Sequence, residues 1–276
     1  MGDCTLENNL LKMDLELKGK TVFITGSTAG IGFATAKALL SEGASVVLNG
    51  RTPASVTTAV KKLEQEFPNE SVSGIAADFS LPKEVNSLLE NLPKIDILIN
   101  NVGVYSSGSF FETEDAAWYR QFEVNVMSGV RLSKSLLPRM LTTNWGRILF
   151  ISSECASLTP PDLIPYSMTK AAVLAVSRGL AQLTKGTDVT VNSVIPGSTL
   201  SEGAEQFLED AAQKEQKTKD QIENAFFTEV RTTSLLQRFA KVEEVAHTIT
   251  YLASPRSSAT NGAAIKVDGG SSGGLV

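Results

Sequence analysis

The 276-residue chain is poor in the side chains that most often carry acid–base and metal chemistry. It has one histidine, His247, so a two-histidine metal site is excluded, and a Ser-His-Asp triad could use only that residue. Its two cysteines, Cys4 and Cys155, are too few for a cysteine-rich zinc site and suit a reducing, cytoplasmic setting. No stretch approaches 18 consecutive apolar residues, so no membrane-spanning helix is expected. The N-terminus has neither a basic start nor an apolar run and does not read as a secretory signal. Gly2 lacks the Ser or Thr at position 6 that myristoylation wants, because Leu6 stands there. Basic residues number 25 against 30 acidic ones, a net charge of −5, and such a balance argues against nucleic-acid and anionic-membrane partners. Acid–base work near neutral pH is thus left to Asp, Glu, Lys, Tyr or a cofactor.

What is present is a regular alternation. Short apolar, β-rich runs fall at residues 21–24, 45–48, 71–77, 95–99, 147–151, 189–195 and 264–267. Helical patterns lie between them, at 31–41, 54–67, 83–92, 118–141, 165–184 and 242–253. Strands alternating with helices of ten or more residues predict right-handed crossovers and a parallel sheet. Runs such as Ile97-Leu98-Ile99 are apolar on both parities, which fits a sheet covered on both faces. The expectation is an α/β, doubly wound Rossmann fold of seven parallel strands. Residues 1–18 read as an N-terminal tail and 19–276 as one domain. Residues 198–231 break the rhythm: long, charged, with apolar residues at helical spacing. They read as two short helices inserted as a lid, or as a solvated excursion.

Directly after the first strand stands Thr25-Gly26-Ser27-Thr28-Ala29-Gly30-Ile31-Gly32, opening a helix. Glycines here remove Cβ obstruction, and backbone N–H groups at a helix start can meet a pyrophosphate. At the end of the second strand, where NAD-binding folds often carry a carboxylate for the ribose hydroxyls, the chain has Asn49-Gly50-Arg51. A guanidinium binds a 2′-phosphate that a carboxylate would repel, so Arg51 predicts NADP(H) in preference to NAD(H). An exposed turn arginine is the plainer alternative.

With histidine scarce, the acid–base group is sought in a tyrosine. Tyr166 and Lys170 stand at i and i+4, on one face of a helix. Ser152 and Ser153 end the fifth strand, at the carboxyl edge where open α/β sheets bind ligands. A positive charge about 4 Å from a phenol is worth about 4 kcal/mol at an effective dielectric near 20. That would bring a phenol from about 10 to near 7.

In this order the motifs resemble the short-chain dehydrogenase/reductase family. They are TGSTAGIG at 25–32, Asp78, NNVG at 100–103, Asn125, Ser153, YSMTK at 166–170, Pro196-Gly197 and VDGG at 267–270. The nearest flavour is the NADPH ketoreductases of the 3-oxoacyl-carrier-protein and tropinone type. The resemblance implies Tyr166 as general acid/base, Lys170 holding the nicotinamide ribose and lowering the phenol, and Ser153 bonding the substrate oxygen. It implies Asn125 at a helix kink with a proton-relay water. Gly26, Ser27, Gly30, Ile31 and Gly32 would meet the cofactor. Asp78 would bind adenine, and Asn101, Val102 and Gly103 would pass beneath the adenosine ribose. Pro196, Gly197 and Ser201 would meet the nicotinamide end. The substrate would be a small carbonyl compound or alcohol, and the assembly a homodimer or homotetramer packed through the two long helices. A non-catalytic NADP(H)-binding regulator, an enoyl reductase and an epimerase remain as alternatives. Glu154 reads as solvent-facing, with a place in the cleft as the other option. Cys155 reads as a small buried residue and His247 as structural.

Overall fold

The computed structural model describes residues 13–274; residues 1–12, with Gly2, Cys4 and Leu6, and residues 275–276 lie outside them. Seven apolar runs pair in parallel as one sheet. They are β1 (Thr21–Ile24), β2 (Ser45–Gly50), β3 (Val72–Ala76), β4 (Ile97–Asn100), β5 (Trp145–Ile151), β6 (Asp188–Pro196) and, after a two-strand pair described below, β9 (Ala264–Val267). Their order is β3-β2-β1-β4-β5-β6-β9. The order reverses between β1 and β4, the switch point at which ligands lodge in such sheets.

The double apolar parity has the predicted cause. Val22 and Ile24 of β1 and Ile97 and Ile99 of β4 face one core, with helices α1 (Gly30–Ser41) and α10 (Val242–Ala253) packed on it. Phe23 and Leu98, at the intervening positions, face a second core closed by α5 (Ser128–Thr142) and α7 (Ile164–Gln182). Strands buried on both faces need no polar alternation. Helices α2 (Pro53–Glu66) and α3 (Pro82–Asn91) each begin with proline, whose missing N–H costs nothing in the first turn. Leu17 is fully buried in the first core, so the packed chain begins before residue 19, earlier than the expected tail boundary.

Two departures concern the site. The helix expected over 118–141 runs from α4 (Asp115–Phe122) through a π-helical turn at Glu123–Met127 into α5. Such a turn releases backbone groups, and single π turns are frequent at functional sites. After β6 the chain forms β7 (Thr199–Leu200), which pairs with β8 (Ala240–Lys241). Between them stand α8 (Glu202–Glu215), α9 (Lys219–Ala225) and a second π turn, Phe226–Val230. The inserted helices have their own small core of Leu208, Ile222, Phe227 and Phe239. No helix of the described residues is long and apolar enough to cross a membrane.

Candidate active site

The cleft lies along the carboxyl edge of the sheet in two parts. The first, of about 380 Å³, is lined by Thr28, Ala29, Arg51, Asp78, Val102 and Arg120 among others. The second, of about 410 Å³, is lined by Asn101, Gly103, Ser153, Tyr166, Lys170 and Ser201, together with Ile31, Pro196 and Gly197.

The glycine turn joins them. Gly26 and Gly30 have φ of +59° and +57°, a region that side chains disfavour. At Gly32 a Cβ would stand 2.7 Å from the Gly26 carbonyl oxygen and 2.6 Å from Asn101 Nδ2. Asn101 donates from Nδ2 to the carbonyls of Thr25 and Gly26, so it braces the turn from the side of β4. Ser27 is buried, and its hydroxyl donates to the Ile24 carbonyl at 2.7 Å; its side chain shapes the turn and does not reach the cleft. The Gly30 N–H donates at 2.8 Å to Oε2 of Glu202, the first residue of α8. The turn thus already holds an anionic oxygen, which is what a phosphate cradle must do.

At the first part's outer end, Arg51 is exposed and stands with Asp78 and the hydroxyl-bearing Thr28, Thr52 and Ser55. Burial acts to raise the Asp78 carboxyl. Hydrogen bonds from Ser80 and the charges of Arg51 and Arg120 outweigh it and hold the carboxyl below its ordinary value. Arg120 had no signal in local spacing. It reaches the pocket from α4.

In the second part, four residues from three segments converge. Ser153 follows β5, Tyr166 and Lys170 share one face of α7, and Asn125 sits in the π turn. Asn125 Oδ1 accepts from the Val104 N–H at 2.7 Å, and its Nδ2 donates to the Val104 carbonyl at 2.8 Å and to Thr169 Oγ1 at 3.0 Å. It therefore ties the 102–104 loop to α7. At Gly103 a Cβ would stand 3.2 Å from Lys170 Nζ, so any side chain there would press on the lysine. Lys170 donates from Nζ to the Ile151 carbonyl at 2.9 Å.

The electrostatics differ from the expectation at one point. Burial pushes the Tyr166 phenol above its ordinary value, and the hydrogen bond with Ser153 only partly offsets this. Cys155, Tyr105 and Glu154 add to the rise. Lys170 Nζ lies 5.5 Å from the centre of the Tyr166 ring, and burial takes the lysine itself down to about 8. Burial also raises the Cys155 thiol, which fits its reading as a small buried residue.

Glu154 is a correction. It does not face solvent: its side chain is 4% exposed, and Oε1 accepts from Ser198 Oγ at 2.9 Å and from Arg231 Nε at 3.1 Å. Sequence exposure rules failed here because the partner lies 77 residues away, at the end of the inserted helices. Tyr105, whose ring centre is 5.8 Å from that of Tyr166, and Phe239 also line this part and were not singled out from the sequence. Among the described residues no group of three or more His, Cys, Asp or Glu could hold a metal ion.

A doubly wound sheet with this cleft at its switch point defines an α/β nucleotide-binding type of architecture, and comparison with known proteins narrows it. The family profile of short chain dehydrogenases matches residues 20–212. An uncharacterized oxidoreductase, YvrD, of Bacillus subtilis (strain 168) is 48% identical over 261 residues, 94% of this chain and 98% of that protein. The 3-oxoacyl-(acyl-carrier-protein) reductase of Aquifex aeolicus (strain VF5) is 29% identical over 94% of this chain and 99% of its own length. The L-sorbose reductase of Gluconobacter frateurii, solved with NADPH and L-sorbose, superposes with a TM-score of 0.89 at 30% identity, over 95% of this chain and all of that one. The chain belongs to the short-chain dehydrogenase/reductase family and is an oxidoreductase.

Proposed function

We propose that the protein is an NADP(H)-dependent carbonyl reductase, or the corresponding alcohol dehydrogenase, with Tyr166 as general acid and base. The observation that carries this is the convergence of Ser153, Tyr166 and Lys170 on one cleft wall, with Tyr166 and Lys170 one turn apart on α7. The residues fit a nicotinamide dinucleotide: a turn too tight for a Cβ, an N–H group that already holds a carboxylate oxygen, and an arginine at the far end. When bound, the reduced nicotinamide supplies a hydride.

The chain's own groups do the rest. Ser153 and Tyr166 present two hydroxyls to the carbonyl oxygen, where negative charge develops. The phenol is protonated at neutral pH and is the proton donor in the reducing direction. Lys170 Nζ, held by the Ile151 carbonyl and admitted by Gly103, supplies a positive charge in the floor of the cleft. Asn125 fixes the loop and α7 relative to each other. Gly26, Gly30, Ile31 and Gly32 form the phosphate turn; Ser27 supports it from behind. Asp78, Asn101, Val102, Pro196, Gly197 and Ser201 complete the cofactor surface. Arg51, with the hydroxyls of Thr28, Thr52 and Ser55 beside it, favours the 2′-phosphate of NADP(H) over NAD(H). NADPH in the L-sorbose reductase structure supports the same cofactor.

The reading includes a cytoplasmic homodimer or homotetramer packed through α5 and α7. An apolar groove of about 340 Å³ between those helices, lined by Val130, Leu137, Leu141 and Leu180, supports it. The test of the reaction is Tyr166→Phe. NADPH binding, followed by its fluorescence, is expected to stay nearly unchanged while turnover over a carbonyl panel falls at least about a hundredfold. Normal turnover in that variant would sink the mechanism.

A further inference from the structure

The second part of the cleft has a charge pattern that bears on which carbonyl compound it accepts. Among its lining residues Lys170 is the one charged side chain. Its Nζ is engaged by the Ile151 carbonyl. The remaining lining groups are uncharged: hydroxyls, the Asn101 amide, backbone, and apolar surfaces that include Tyr105, Ala204 and Phe239. The start of α8, at Ser201, Gly203 and Ala204, also faces this cleft. A helix start favours anions, but Glu202 and Glu205 stand in this first turn and oppose it.

A substrate carboxylate or phosphate needs an arginine or lysine, and bidentate arginine is the usual solution. Arg231 reaches the segment that follows Ser153, where its side chain meets Glu154 and Cys155. It is 13% exposed, lies over the Phe226 ring at 5.6 Å, and is bound to Glu154. The same Glu154 oxygen receives the hydroxyl of Ser198, a lining residue, so the pair is joined directly to the cleft wall. Arg238, further along the chain, is held by both oxygens of Glu244.

Resting on the reductase reading above, we propose that Glu154 is a specificity residue: by binding Arg231 it withdraws that cation from the cleft, and the enzyme takes carbonyl substrates that carry no carboxylate or phosphate. Glu154 acts on substrate choice through Arg231 and Ser198, and takes no part in proton transfer.

The experiment compares matched ketones on the full-length enzyme with NADPH: methyl acetoacetate against acetoacetate, and methyl pyruvate against pyruvate. The wild type is expected to favour each neutral ester over its acid by at least about tenfold in kcat/KM. Glu154→Gln keeps the shape and the acceptor oxygen but leaves the Arg231 charge uncompensated. In that variant the acid-to-ester ratio is expected to rise about tenfold, chiefly through KM for the acid. In Arg231→Met the ratio is expected to fall further below that of the wild type. NADPH affinity, read by fluorescence, should be the same in all three and reports that each is folded. A wild type that prefers the acids, or a ratio that Glu154→Gln leaves unchanged, overturns the proposal while the reductase reading stands. Failure of every carbonyl to oxidise bound NADPH overturns both.

Discussion

The two walls of the catalytic cleft are built by different means. One wall is sheet-borne: Ser153 follows β5, Tyr166 and Lys170 ride on α7, and Asn125 locks a π turn to both the 102–104 loop and α7. These residues stand on the two large cores that sandwich the sheet. The other wall is made by α8, α9 and the turn after them, which rest on a core of four buried residues. It is closed at its base by the β7–β8 pair and by the Glu223 carboxylate that accepts the Phe239 N–H, and it meets the body at the Gly30–Glu202 hydrogen bond and the Glu154–Arg231 ion pair. The first wall carries groups fixed by many contacts and suits chemistry. The second can change its side chains without disturbing the sheet, and suits selection among substrates.

The comparison breaks or holds most visibly at Phe227, which is 1% exposed and packs edge-on against Phe226 and Phe239 with ring centres 5.0 and 5.2 Å away. Replacing a buried phenylalanine by alanine costs about 3–5 kcal/mol. If the lid core is a separate unit, Phe227→Ala should raise hydrogen exchange of the α8 and α9 amides about a hundredfold and leave those of β5 and β6 protected. Equal loss of protection in the sheet would show that the two walls unfold together. A smaller effect is expected from Arg51→Asp at the cofactor's far end, on the sheet-borne side. It should shift the ratio of NADPH to NADH affinity by at least about tenfold toward NADH and leave lid exchange unchanged. An unaltered ratio would remove Arg51 from the cofactor site.

How much of this was legible in the sequence follows the same division. The glycine turn, the Tyr166–Lys170 spacing and the serine after β5 are local patterns, and the structure brings all of them to one edge of the sheet. Strand parity gave the two-faced sheet for a similar reason: burial acts residue by residue. What escaped is long-range. Glu154 was read from the usual exposure of glutamate, yet its partners Ser198 and Arg231 lie 44 and 77 residues on. Arg120, 42 residues on from Asp78, lines the same part of the cleft and acts on that carboxylate through its charge. The kink at Asn125 came from the family resemblance and not from periodicity, which runs on through the π turn; there the asparagine side chain holds the Val104 backbone. Lowering of the phenol by Lys170 assumed a separation of about 4 Å in a moderately polar medium. Burial at the site runs the other way, raising the tyrosine and lowering the lysine.

That burial supplies the mildest of the expected effects, a pH dependence of stability confined to one wall. Lys170 is held at about 8 in the folded chain against 10.5 for a free lysine. Between pH 8 and 10 the unfolded chain therefore keeps a proton on this residue that the folded chain has released. Stability rises with pH wherever the unfolded state binds more protons, so the contribution of Lys170 increases across this window. Above about pH 10 the raised Tyr166 phenol works in the opposite sense, because the folded chain then holds a proton that the unfolded chain gives up. Urea midpoints taken from pH 8 to 10 should climb in the wild type and climb less in Lys170→Met. Lys217, in the lid, forms an exposed pair with Glu215, and Lys217→Met should leave the slope as it was. A slope that is the same in Lys170→Met as in the wild type would mean that the lysine is not desolvated in the folded chain, and the distinction between a dry chemical wall and a wet selecting wall would lose its electrostatic support.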